Sequence, residues 1–203
     1  MGGFQVSTEV IDLACPGCGA PVSTSDAVCK YCRRPVVITT FNSVYAMSLP
    51  EVNKYAGAYT RALADAPEDQ KLNTSAAMCF LKLKMYSKAS AAFAKAVEEN
   101  FDNSEIFFYA AISLLAGKKA FLAMRPTINK IEEYINAALM IEPKGIYYFF
   151  WAYIRYDYHA RKHLSVSPSW NELFSEAKKA GLSKTDVDQL FAILGVPCPD
   201  ALA

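Results

Sequence analysis

From residue 51 onward, apolar residues recur three and four positions apart, the spacing of one helix face. The stretch is alanine-rich, and one half-motif returns along it. It reads Tyr55, Tyr59, Ala62, Pro67, then Ala89, Phe93, Ala96, Phe101, then Ile131, Ile135, Ala138, Pro143, with a weaker copy at Trp170, Phe174, Ala177, Leu182. The first two copies stand 34 residues apart, and the later ones 42 and 39 apart. In each copy the alanine shares a face with the large residues, where a neighbouring helix must approach closely. Helices of the same period are predicted over 69–85, 104–117 and 146–159, with Ala77 and Phe80 in the first and Ala111 and Leu114 in the second. Ser183-Lys184-Thr185-Asp186 predicts a capping box opening a last helix, stopped after Leu194 by Gly195 and Pro197.

The beginning of the chain follows another pattern. Short strands are predicted over 5–12, 20–23 and 35–40, the last on the β-branched Val36, Val37 and Ile38. Among them stand Cys15, Cys18, Cys29 and Cys32: Cys-Pro-Gly-Cys, ten residues, then Cys-Lys-Tyr-Cys. Each C-x-x-C turn aims two thiolates at one ion, and the loop brings the second pair round to close a tetrahedral site. Pro16 fixes φ entering the first turn, and Gly19 can take the left-handed conformation after it, whereas Arg33 stands at the matching place in the second. A redox dithiol or a secreted disulfide pair are the competing readings, but no βαβ pattern and no secretion signal accompany the motif.

This arrangement resembles a zinc ribbon, over residues 4–42. The resemblance implies one structural Zn2+ held by Cys15, Cys18, Cys29 and Cys32, with no open coordination position for catalysis. So small a segment has little apolar core, so its folding is expected to depend on the metal. The helical region resembles the tetratricopeptide repeat (TPR), a unit of 34 residues in two antiparallel helices. That resemblance is fullest over 70–103 and departs from the family in the extra residues between Gly117 and Thr127 and between Leu164 and Ser169. A plain helical bundle is the alternative.

The expected fold class is therefore mainly α: a small β zinc ribbon at 1–42, a linker at 43–50, and a TPR-like α-solenoid of helical hairpins at 51–203 with a C-terminal capping helix. The helix predicted over 51–64 matches a second helix with no first one before it, so the ribbon or residues 41–50 are expected to cover its face. The TPR resemblance also assigns a groove lined by the first helix of each repeat. From those positions the candidate partner-binding residues are Met78, Phe108, Tyr109, Ile112, Leu115, Tyr148 and Phe149, an apolar and aromatic set suited to an amphipathic helix or apolar peptide. Thr74 and Met78 stand where the family's carboxylate clamp would begin.

Composition narrows the function classes. The chain has 203 residues, is 53% hydrophobic, and carries a formal net charge of +1, which excludes a disordered chain and argues against a nucleic-acid coat. Its longest uncharged apolar run, 106–117, falls short of the ~20 residues a membrane span needs. With no basic stretch leading into an apolar one at the start, a soluble cytoplasmic protein is expected. Gly117-Lys118-Lys119 lacks the upstream glycine of a phosphate-binding loop. His159 and His163 are spaced i, i+4 as two metal ligands could be, but Arg155, Arg161 and Lys162 surround them, and an exposed helix end is expected. Cys79, inside an apolar helix, reads as a small buried hydrophobe. The expectation is a non-catalytic adaptor or scaffold with a protein or peptide partner. The alternatives are a nucleic-acid-associated factor using Lys30, Arg33 and Arg34, and a permanent subunit of a larger assembly.

Overall fold

The computed structural model describes residues 10–98 and 102–203; Phe101 and the predicted strand residues 5–9 lie outside the described residues. Strands β1 (Asp12–Ala14) and β2 (Pro21–Ser23) pair antiparallel, with Leu13 opposite Val22 and both side chains buried. Nine α-helices follow among the described residues: α1 (Phe41–Tyr45), α2 (Leu49–Asp65), α3 (Gln70–Lys82), α4 (Tyr86–Ala96), α5 (Ser104–Leu114), α6 (Arg125–Ile141), α7 (Gly145–Ile154), α8 (Trp170–Lys179) and α9 (Lys184–Leu194).

The fold is mainly helical, built from hairpins. Helix α3 packs on α4, α5 on α6 and α7 on α8, while α2–α3, α4–α5 and α6–α7 contacts join the hairpins in chain order. The alanines of the repeated pattern permit these close approaches: Ala62, Ala77, Ala96, Ala111, Ala138 and Ala177 are all buried. Local chemistry marks the helix starts. Asp69 accepts a hydrogen bond from the Leu72 backbone N–H at 2.7 Å, and Asn103 accepts one from that of Glu105 at 3.1 Å. Capping boxes open α8 (Ser169 with Glu172) and α9 (Ser183 with Asp186), and α9 stops where Gly195 turns left-handed.

Two stretches depart from the sequence expectation. Residues 36–40 are not a strand; only Pro35 bridges, to Val28. The segment instead lies against α2 and α3, whose side chains satisfy its backbone. Tyr55 and Tyr59 hydroxyls donate to the carbonyls of Pro35 (3.2 Å) and Val36 (2.8 Å), and Ser75 Oγ accepts from the Ile38 N–H at 2.8 Å. With Arg34 ion-paired to Glu51 at 2.7 Å, this contact covers the α2 face that has no preceding helix to pack on. Residues 43–50 hold most of α1 and the start of α2, because Phe41 and Val44 are fully buried and pin α1 to the helices.

The helix predicted over 146–159 changes pitch partway. After Ile154 it continues as a π-helical turn, Arg155–His159, then a 3-10 turn, Ala160–Lys162. The wider π turn rotates His159 inward, where it is fully buried, and His163 ends the helix exposed at φ +57°. The two histidines therefore do not form a common ligand face.

The approach of α7 to the end of α8 depends on Gly145. A Cβ there would lie 2.6 Å from the Leu182 backbone nitrogen and 2.8 Å from the Ala177 carbonyl oxygen. Helix propensity alone would favour Gly145→Ala by up to about 1 kcal/mol. We expect the opposite sign: the variant should melt several degrees below wild type, since neither contact is a side chain that can move aside.

Candidate functional site: a four-cysteine centre and a covered inner face

The two C-x-x-C segments form matching turns. Cys15 N–H donates to the Ala20 carbonyl and Gly19 N–H to that of Cys15, at 2.7 and 2.9 Å. In the second turn Cys29 N–H donates to Arg34 and Arg33 N–H to Cys29, at 2.8 and 2.9 Å. The correspondence extends to backbone angle: Gly19 has φ +81° and Arg33 has φ +61°. Arg33 thus occupies the left-handed conformation that glycine takes in the first turn, at the steric cost of a Cβ.

These turns bring the sulfurs of Cys15, Cys18, Cys29 and Cys32 within 4.8 Å of one another. Cys15 and Cys32 sulfurs are 3.6 Å apart, and those of Cys18 and Cys29 3.8 Å. A tetrahedral ion with metal–sulfur bonds of about 2.3 Å separates its ligands by about 3.8 Å, so the four residues fit one ion. Backbone N–H groups favour thiolates here. That of Cys32, with that of Tyr31, holds the Cys29 thiol down at about 7 against burial. At Cys18 the Ala20 N–H acts in the same direction, but burial and the three neighbouring sulfurs together push that thiol up to about 11. Cys79 has no such neighbours; burial pushes its thiol up to about 12, an inert side chain inside α3.

The predicted partner-binding residues lie on α3, on α5 and at its end, and on α7, and the chain itself covers most of them. Met78, Phe108, Tyr109, Ile112, Leu115 and Phe149 are buried, and Tyr148 is half-buried. From the N-terminal side, the Phe41 ring sits 4.5 Å from that of Tyr109, its N–H donates to Glu105 at 3.3 Å, and Lys82 donates to the Tyr45 carbonyl at 3.0 Å. From the C-terminal side, Phe191 of α9 meets the rings of Tyr153 at 5.3 Å and Phe149 at 6.2 Å. Tyr86 donates to the Ile193 carbonyl at 2.9 Å. Between α9 and helices α5 and α7 a cavity of about 160 Å³ remains, lined by Phe108, Tyr109, Tyr147, Leu190 and Ile193, with Glu105, Lys144 and Asp186 among its charged residues. Burial pushes the Tyr109 phenol far above its ordinary value.

The sequence marks α9 as a terminal cap; in the structure it also lies over α5 and α7 and reaches Tyr86 of α4. A signal was present: Leu190, Phe191, Ile193 and Leu194 make a full apolar stripe, and Val36, Ile38, Phe41 and Val44 are more apolar surface than a two-stranded ribbon can bury.

A buried ionic group lies behind α7. Glu132 Oε1 is 3.2 Å from both Arg155 Nε and His159 Nε2. Burial holds the His159 pKa below its ordinary value, opposed by Glu132 and reinforced by the Arg155 and Arg125 charges. The contacts are electrostatic: Glu132 Oε1, Arg155 Nε and both ring nitrogens of His159 are buried without a hydrogen-bond partner.

No family model matches the chain, and no curated protein matches it. A solved structure titled "MamA MSR-1 C2" is similar at 19% identity, with a TM-score of 0.49 over 69% of this chain and 82% of that one.

Two outcomes test the centre. The purified chain should carry one divalent ion by elemental analysis, and Cys29→Ser should lose it and melt several degrees lower, since three thiolates leave the turns unclosed. Arg33→Gly should raise stability by about 1 kcal/mol by releasing the left-handed strain, roughly 2–4 °C in melting temperature. An unchanged or lower melting temperature would show that the Arg33 side chain contributes more than its backbone costs.

Proposed function

We propose that this chain is a non-catalytic protein-interaction adaptor, a zinc ribbon at 1–42 packed on a TPR-like array at 51–203. The observation that carries the reading is the inner face: the residues that would hold a partner are already covered by helical and extended segments of the same chain. Helix α9 lies there as an amphipathic helix does in a groove, apolar stripe down. A protein partner offering a comparable helix competes with α9 for Phe108, Tyr109, Phe149 and their neighbours Met78, Ile112, Leu115 and Tyr148. Zinc is the ion that best fits a four-thiolate tetrahedral site, and it acts structurally, because all four positions belong to the protein.

The ribbon supports a second reading. Tyr31 is 63% exposed, with the Lys30 ammonium 5.3 Å from its ring centre and Arg33 close in sequence. An exposed aromatic ring with cations is a stacking platform for single-stranded nucleic acid. Asp26 and Lys30 line one shallow depression, so the local charge is mixed.

Loosening α9 separates the readings. Wild type and a Leu190→Asp, Leu194→Asp variant would each be incubated with extract of the source cell and washed at low and high salt. The adaptor reading expects the variant, still helical by circular dichroism, to retain more of a specific protein than wild type, resistant to salt. Nucleic acid retained equally by both and released by salt would move the function to Tyr31 and its cations. Retention of neither would sink both readings.

A further inference from the structure

The turn between α5 and α6 presents a surface that hairpin packing does not require. Residues 118–125 read Lys-Lys-Ala-Phe-Leu-Ala-Met-Arg. The turn is firmly held. Ala120 is fully buried and its N–H donates to the Tyr153 hydroxyl at 3.3 Å, while the Phe121 N–H donates to Asp157 at 2.8 Å. Asp157 is itself buried in the π-helical turn, so the 3-10 segment Ala120–Leu122 is fixed to the α7 region. What this anchored segment shows to solvent is apolar: Leu122 is 67% exposed and Met124 is 74% exposed. Two large apolar side chains on a held, projecting turn are a contact surface in want of a partner.

The charges nearest them along the chain have one sign. Lys118, Lys119 and Arg125 are exposed and make no ion pair among the described residues. Arg161 and Lys162 stand over the Phe121 ring, 4.5 and 5.0 Å from its centre. No carboxylate occurs in the sequence between Glu105 and Glu132. Asp157 is engaged by Arg161 and by the Phe121 N–H, and Glu132 is turned inward to Arg155 and His159. Asp200 lines the same cavity as Lys119 without pairing to it. The partner must therefore be anionic and must also accept aliphatic side chains.

Nucleic acid meets the first condition but stacks on exposed aromatic rings, whereas Phe121 lies beneath Arg161 and Lys162, and Tyr153 and Tyr158 are buried. An acidic peptide would find a concave seat in the cavity lined by Lys119 and Arg161, but Asp157 and Asp200 line it too, and Leu122 and Met124 lie outside it. A bilayer with anionic headgroups meets both conditions: apolar tips enter the boundary between headgroups and acyl chains while cations meet the phosphates. We propose that residues 118–125 dock the protein on an anionic membrane surface, with Leu122 and Met124 inserted and Lys118, Lys119 and Arg125 holding lipid headgroups. This goes beyond the adaptor reading and does not depend on it.

Sedimentation with lipid vesicles tests it, using phosphatidylcholine alone and phosphatidylcholine mixed with phosphatidylserine. The variants are Leu122→Gln, Met124→Gln and, separately, Lys118→Gln, Lys119→Gln, Arg125→Gln. All five side chains are exposed, so both variants should keep the wild-type melting temperature. Wild type should sediment with the mixed vesicles, less so as salt rises, and not with phosphatidylcholine alone. The first variant should bind the mixed vesicles about tenfold or more weakly, through loss of two buried apolar tips. The second should lose the preference for phosphatidylserine. Failure of wild type to bind the mixed vesicles, or equal binding by wild type and the first variant, would overturn the proposal. So would binding to soluble polyglutamate that needs only the cations, in a protein that ignores vesicles.

Discussion

Stacked helical hairpins bury the sides of their helices against one another and leave the inner face of the first helices bare. In this chain that face carries Phe108 and Tyr109 of α5 and Tyr147 of α7, which line the space under α9. Left in water it would promote association, and most of the molecule's less regular features follow from covering it. The extended segment after the cysteines, the five-residue helix α1 and the return of α9 each place apolar side chains there. They reach it from opposite ends of the sequence and meet on either side of Tyr109.

This covering also explains how the cysteine centre serves the helices. The second C-x-x-C turn ends at Cys32, and four residues later Val36 gives its carbonyl to Tyr59. Between them, Arg34 reaches Glu51 and Pro35 accepts from Tyr55. The centre therefore sets the direction in which residues 36–45 cross α2, α3 and α5. A metal that closes the turns acts on helix packing through a few backbone hydrogen bonds, although every ligand lies outside the helices.

Much of this organisation was legible in the sequence. The alanine–aromatic period located the helices, Ser183 and Gly195 marked the ends of α9, and the cysteine spacing anticipated the cluster. What was not legible came from long-range competition. Val36, Val37 and Ile38 favour a strand locally, but a strand there would have needed a neighbouring edge to pair with. The tyrosines of α2 and Ser75 of α3 offered donors and acceptors instead, so the segment packed on helices. The π turn that buries His159 has no local signal either; it sets His159 and Arg155 beside one carboxylate, that of Glu132 in α6. Likewise, repeat register assigns groove positions but carries no information about what lies over them, and here the N-terminal segment and α9 meet Tyr109 and Phe149.

The order of the elements has a consequence for synthesis. Tyr109 and Phe149 leave the ribosome well before Leu190 and Phe191, which cover the same face. At ordinary elongation rates the interval between Tyr109 and Leu190 is on the order of ten seconds. Throughout it, the nascent hairpins display an apolar surface with residues 36–45 on one part of it and nothing on the other. A ligand or chaperone acting in that interval would meet a face that the completed chain conceals, so the time of an encounter, as well as its affinity, would govern access to the inner face.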